Sequence, residues 1–367
     1  MNQFTWNPFS LGGKALSAPI VQGGMGVGIS LSRLASAVAN EGGVGVISAA
    51  GIGMLKKPGA PDYAKANAEA LRDEIRKARA MTRGVLGVNI MVALTDFAEL
   101  VRTSIEEGID VIFSGAGLPL DLPSYRKEGC RTALVPIVSG RRTARIIAKW
   151  WREKYSYTPD GFVLEGPKAG GHLGFKESEL DQPQFQLEAL LPDVLEEARR
   201  LEEAGGKPVP VIAGGGVFTG GGIHRVLSLG AAAVLLASPF VATEECDASD
   251  AFKEAYVQCR KEDIGIIKSP VGMPGRAITD AFLKAAANGE KHPKACPFHC
   301  ISTCKGESAP YCISVALLNA CRGRMEHGFA FVGENGWRID RITTVKELFS
   351  TLREEFCAAA GVQQDFA

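Results

Sequence analysis

Eight short aliphatic runs, separated by longer amphipathic stretches, constrain this chain more than any other feature. The runs are Ala18–Gly23, Val44–Ala49, Gly84–Ile90, Val111–Gly115, Leu134–Ser139, Gly161–Leu164, Val209–Ala213 and Ala233–Ala237. Each is nearly continuous in Val, Ile, Leu and Ala, without polar alternation. That pattern suits parallel strands covered on both faces. Between them, Leu31–Asn40, Tyr63–Met81, Leu94–Glu107, Arg141–Lys154, Leu187–Ala204 and Gly222–Leu229 carry apolar residues at threes and fours, the helical period. Eight strands alternating with helices predict a (β/α)₈ TIM barrel. A doubly wound open sheet is the alternative. Against it, Gly23-Gly24-Met25-Gly26-Val27-Gly28 has its glycines in the wrong places for a dinucleotide fingerprint, and no acidic residue ends a second strand to hold a ribose.

A barrel takes about 250 residues, and this chain has 367. The rhythm changes after Phe240. Glu244–Lys261 reads as helix, Lys268–Arg276 as a Pro/Gly-rich loop and Ala277–Asn288 as helix. Lys291–Tyr311 is a Cys/Pro segment, followed by helices over Ile313–Gly323 and Val345–Ala360. The expected division is a barrel over 1–262 and a mainly helical, Cys-containing appendage over 263–367, packed on the barrel as a substrate lid.

Lys plus Arg equals Asp plus Glu at 41 each, so no overall field recruits nucleic acid or an acidic membrane surface. No apolar stretch is long enough to span a bilayer, and Met1–Lys14 lacks the apolar core of a secretory signal. The expectation is a cytoplasmic protein whose partners are small molecules and copies of itself. Its 43 glycines exceed the usual share of about 7% and cluster at the ends of the apolar runs.

Four of those run ends carry chemistry. Val209-Pro-Val-Ile-Ala-Gly-Gly-Gly-Val217 and Gly230-Ala-Ala-Ala-Val-Leu-Leu-Ala-Ser238 would be strands 7 and 8, whose ends commonly form a phosphate site in barrels. Gly214, Gly215 and Gly216 allow close backbone approach to an anion, and Ser238 adds a hydroxyl. Tight turns without a ligand are the plain alternative. Glu165-Gly-Pro-Lys-Ala-Gly-Gly-His-Leu-Gly174 sets His172 among glycines just past strand 6, on the catalytic face of a barrel. A neutral imidazole there can act as a general base. Asn89 ends a buried apolar strand and must find a partner, either a turn or the edge of a cofactor ring.

Together these stretches resemble the nitronate monooxygenase (2-nitropropane dioxygenase) family and its relatives, the NAD(P)H-dependent flavin reductases and FMN-type enoyl-ACP reductases. The resemblance rests on Ala18-Pro-Ile-Val-Gln-Gly-Gly-Met25, Gly87-Val-Asn-Ile90, Ser114-Gly-Ala-Gly-Leu-Pro119, Glu165 through Gly174, Val211 through Val217, and Pro239-Phe-Val-Ala-Thr-Glu-Glu245. It implies FMN across the barrel mouth. Gln22, Gly23 and Gly24 would pass under the ring, and Asn89 and Glu165 would support it. Gly170 and Gly171 would flank the site, while Gly214, Gly215, Gly216, Ala237 and Ser238 would cradle the phosphate. His172 would be the base or polariser. The implied reaction is oxidation of alkyl nitronates by O₂ to a carbonyl compound and nitrite. The alternative is NAD(P)H-dependent reduction of a quinone or enoyl thioester. Two departures stand out: Ala237-Ser238 replaces the usual Gly-Thr, and Lys168 places a cation near His172 that would lower its pKa.

Of nine cysteines, Cys296, Cys300, Cys304 and Cys312 follow C-x₃-C-x₃-C-x₇-C spacing. Four thiolates could surround zinc or an iron–sulfur cluster, although the spacing matches no standard pattern. Buried packing residues and redox-labile thiols are the other readings.

Overall fold

A computed structural model describes residues 6, 8–57, 60, 62–293, 296 and 298–361. Eight parallel strands close into a barrel: β1 Ile20–Gln22, β2 Val44–Ser48, β3 Val85–Met91, β4 Val111–Gly115, β5 Ala133–Val138, β6 Phe162–Glu165, β7 Val211–Gly214 and β8 Ala233–Leu236. Closure is made by Val234↔Ile20 between β8 and β1. All eight expected strands form, each within two residues of its expected ends. Along β4, Val111 and Phe113 point into the barrel interior, while Ile112 faces the helical shell. Both faces are thus apolar, which is why the runs show no alternation.

A two-strand hairpin, Phe9–Leu11 with Lys14–Leu16, precedes the barrel and was not expected. It drives Leu11 and Leu16 into the inner core, sealing the end opposite the site. The helices are α1 Ser32–Asn40, α2 Ile52–Lys56, α3 Tyr63–Met81, α4 Phe97–Glu106, α5 Arg141–Tyr155, α6 Leu187–Gly205 and α7 Gly220–Ser228. They are followed by α8 Ser238–Val241, α9 Asp250–Val257, α10 Ala281–Ala287, α11 Ile313–Cys321 and α12 Val345–Ala360. The last helix rejoins the barrel. It packs between α7 and α1, so closely that a Cβ on Gly220 would lie 2.0 Å from the Leu352 carbonyl oxygen. Residues 242–344 are therefore an excursion between β8 and the helix that completes the ring.

That excursion is mainly helical, as expected, but it also carries strands. Lys268–Arg276 is not a free loop: Ile264–Lys268 (β9) and Pro274–Ile278 (β10) form an antiparallel hairpin. The strand carries Ala277 and Ile278, so α10 starts only at Ala281, capped by the Asp280 side chain on Leu283 N–H at 2.9 Å. The helix expected over Glu244–Lys261 is confined to Asp250–Val257. Upstream, the Asp247 carboxylate leaves helical geometry to accept the Leu31 N–H at 2.8 Å and the Leu34 N–H at 3.2 Å, capping α1. Among the described residues, no helix is long and apolar enough to cross a membrane.

Candidate active site

The C-terminal ends of the strands open into one cavity of ≈ 420 Å³. Its floor includes Gly23 and Gly24 after β1, Asn89 on β3, Glu165 ending β6, and Ala237–Ser238 after β8. The excursion supplies the roof, with Met273, Ile301, Ile313, Leu317 and Phe331 facing the cavity. A polar, glycine-lined floor beneath an apolar roof suits a flat polar cofactor under an apolar substrate.

The glycines of the floor are demanded by space. A Cβ on Gly24 would lie 2.3 Å from the Asn89 Cβ, so only glycine lets the Asn89 side chain rest there. Gly215 and Gly216 adopt φ of 95° and 98°, which side-chain-bearing residues rarely do. A Cβ on Gly215 would meet the Gly166 carbonyl oxygen at 2.6 Å. Ser238 opens the short helix α8, and its hydroxyl accepts the Gly333 N–H at 2.9 Å while keeping its own proton to donate.

His172 occupies a two-residue strand, Gly171–His172, that pairs with β10 through Gly275↔His172 and Arg276↔Gly171. The buried Arg276 guanidinium clamps the loop from below, donating to the Pro167 carbonyl at 2.5 Å and the Ala169 carbonyl at 2.9 Å. His172 Nε2 lies 2.7 Å from Ser269 Oγ, and Phe331 meets the imidazole edge-on at 5.0 Å. Burial lowers the His172 pKa to about 4, so the ring is neutral at pH 7. The cause differs from the expected one: Lys168 is paired with Glu334 at 3.4 Å, and desolvation depresses the imidazole. Burial also pushes the Glu165 carboxyl up to about 7, with no charged group offsetting it.

Not every expected residue joins the cavity. Gly170, Gly171 and His172 line it along with the floor residues above. Gln22 does not. It is fully buried beneath the floor, where its amide oxygen accepts the Val46 N–H at 2.9 Å and its nitrogen donates to the Gly23 carbonyl. Its polarity is consumed in tying β1 to β2. Gly214, Gly215 and Gly216 stand beside the cavity, packed on Gly166 and Lys168. The sequence reading missed Ser269, Arg276 and Phe331. The Pro-Gly-rich 269–276 stretch was visible as a motif, but its pairing with His172 was not.

The four cysteines form no expected ligand set. Among the described residues, no group of three or more His, Cys, Asp or Glu is placed to hold a metal ion. Burial pushes the Cys300 thiol up to about 11, and its sulfur lies 3.1 Å from the Ser314 hydroxyl. Burial likewise raises Cys312. Cys300 and Cys312 adjoin Ile301, Ile313 and Ser314, which line the cavity wall.

A closed parallel barrel with a roofed, glycine-floored cavity holding a neutral histidine and a buried carboxyl defines a TIM-barrel protein with a candidate active site at the C-terminal ends of its strands. Residues 10–355 match the family model described as nitronate monooxygenase, and the chain belongs to that family. It is 29% identical over 273 residues to a 5-hydroxy-7a-methyl-1-oxo-octahydro-1H-indene-4-carboxyl-CoA dehydrogenase of Mycobacterium tuberculosis, covering 74% of this chain and 66% of that one. The match to the Rhodococcus jostii protein of the same name covers 64% of its length, so the chain spans just under two thirds of both relatives. A probable nitronate monooxygenase of Staphylococcus aureus is 24% identical, with 75% of this chain and 79% of that one covered. Among solved structures, a FabK variant from Thermotoga maritima superposes with TM-score 0.71 at 26% identity, covering 94% of each chain. A nitroalkane oxidase from Streptomyces ansochromogenes shares the fold, with TM-score 0.71 at 21% identity over 94% of this chain and 97% of that one.

Proposed function

We propose that this chain binds FMN at the barrel mouth and oxidises alkyl nitronates with O₂, giving a carbonyl compound and nitrite. The observation that carries the reading is the cavity itself: a floor of Gly23, Gly24, Asn89 and Glu165, closed at one side by the Ala237–Ser238 turn after β8. The residues present fit the cofactor. Gly24 leaves the place at the cavity floor that the Asn89 side chain takes, and the left-handed Gly215–Gly216 turn next to the cavity lets a phosphate come close to the backbone. FMN supplies the redox chemistry when bound. The chain's part is to hold it with Asn89, Glu165 and Ser238, and to place His172 against the substrate. Met273, Ile301 and Phe331 then keep water out.

A second reading, NAD(P)H-dependent reduction of an enoyl thioester or quinone, is favoured by the end-to-end likeness to FabK and by the apolar roof. Two measurements test these readings. Denaturing the yellow protein and identifying the released flavin should give FMN; FAD, or no flavin after reconstitution, overturns the cofactor assignment. Anaerobic mixing separates the reactions. Flavin bleaching by a nitronate but not by NADH or NADPH supports the monooxygenase, and rapid bleaching by a pyridine nucleotide supports the reductase.

A further inference from the structure

The hydrogen bond between His172 and Ser269 determines more than a ring position. We propose that Ser269 is a positioning residue. It donates its hydroxyl proton to His172 Nε2, holds the imidazole as the Nδ1–H tautomer, and thereby makes His172 a hydrogen-bond donor to an anionic substrate oxygen, not a base.

The hydrogen-bond inventory supports this direction. Ser269 Oγ lies 2.7 Å from Nε2 and also accepts the Val271 N–H at 3.4 Å. With a lone pair engaged by the backbone, the hydroxyl hydrogen needs an acceptor, and among the described residues Nε2 is the only one in contact. Were Nε2 to carry the proton, the serine hydrogen would have no partner in a partly buried place. With Nε2 as acceptor, the proton of the neutral ring sits on Nδ1. Among the described residues, Nδ1 makes no hydrogen bond and is not one of the buried orphaned atoms, on a ring that lines the cavity. It is therefore open to a substrate.

The surroundings disfavour the alternative. A base ends its step as imidazolium, and burial opposes that charge. The charged groups nearby do not reverse this. Lys168 on the same loop and Arg276 on β10 both face Glu334 of the C-terminal segment, at 3.4 and 3.8 Å, so that carboxylate is already engaged. Glu165, at the end of β6, is itself raised by burial. A neutral N–H aimed at a developing or existing oxyanion is an established way for an imidazole to act. The oxygens of a nitronate, or the enolate oxygen formed when an enoyl thioester is reduced, would accept it. This role rests on the reading that the cavity takes such a substrate; the tautomer does not.

The test is nitrogen NMR on ¹⁵N-histidine holoenzyme at pH 7, with the His172 signals identified by their loss in His172→Gln among the five histidines. The expected result is a neutral ring protonated at Nδ1. In Ser269→Ala the ring should shift toward the Nε2–H form, and kcat should fall by about tenfold or more, as when a catalytic imidazole is left in the wrong tautomer. Ser269→Thr, which keeps the hydroxyl, should restore both. An Nε2–H tautomer or an imidazolium in the wild type overturns the proposal. So does a Ser269→Ala holoenzyme with wild-type flavin content, tautomer and kcat. If wild-type protein turns over neither nitronates nor enoyl thioesters, the functional reading fails while the NMR result still decides the tautomer.

Discussion

Replacing Glu165 by Gln removes a buried carboxyl without changing its shape, and the consequence for stability follows from the direction of its titration. Burial raises the folded-state pKa from 4.5 to about 7. The folded chain therefore holds this proton more tightly than the unfolded chain does. That contribution to stability is fully present below pH 4.5 and is lost as pH rises through 7. At about 1.4 kcal/mol per pH unit, the rise from 4.5 to about 7 makes the loss at most about 3.5 kcal/mol. Because Glu165 borders the open cavity, water screens part of it, and about 1–2 kcal/mol is expected in flavin-free protein. The glutamine amide has no proton to lose. Urea unfolding of flavin-free wild type and Glu165→Gln, compared at matched pH, should give equal stabilities at pH 4. At pH 8 the variant should be more stable by about 1–2 kcal/mol. His172 titrates with the opposite sign: its lowered pKa makes stability rise with pH between about 4 and 6.5. It is common to both proteins and cancels in the difference. A stability difference that does not change with pH, or a wild type that gains on the variant as pH rises, would refute the assignment of a neutral carboxyl.

His172→Ala should retain FMN and lose about a hundredfold or more in turnover, the usual cost of removing one group that transfers a proton or stabilises an oxyanion; wild-type rates would remove His172 from the chemistry. Gly24→Ala should displace Asn89, because the added methyl would stand 2.3 Å from its Cβ. A stability loss of about 1–3 kcal/mol by thermal melting, with weakened flavin retention, is expected, and unchanged flavin affinity would count against Asn89 as a contact. Anaerobically purified protein should contain well under one equivalent of iron or zinc, and Cys300→Ser should leave that figure unchanged. Stoichiometric metal lost in Cys300→Ser would reinstate a cysteine centre.

The barrel was legible in the sequence because a parallel strand buried on both faces must be apolar at every position. Eight such runs alternating with helical periods admit few other closed solutions. His172 and the floor glycines were legible for a related reason: glycines and isolated polar residues at the ends of apolar runs have a local cause, a tight turn at the mouth of a barrel. Tertiary structure alone decided what depends on distant partners. Gln22 looked available to a cofactor, but Val46 on the next strand claims its amide oxygen. The cysteine spacing invited a metal, yet where thiols point is set by the packing of the whole excursion. α12 could be read as a helix but not as the one completing the ring, since its seat between α7 and α1 lies more than a hundred residues away in sequence. Ser269 and His172 are 97 residues apart, and their contact exists only because the hairpin of Ile264–Lys268 and Pro274–Ile278 recruits Gly171–His172 as a third strand. Those strands are short and interrupted by Gly and Pro, so they carry little local signal. Their backbone hydrogen bonds are satisfied by pairing across the excursion, which no periodicity within the segment records.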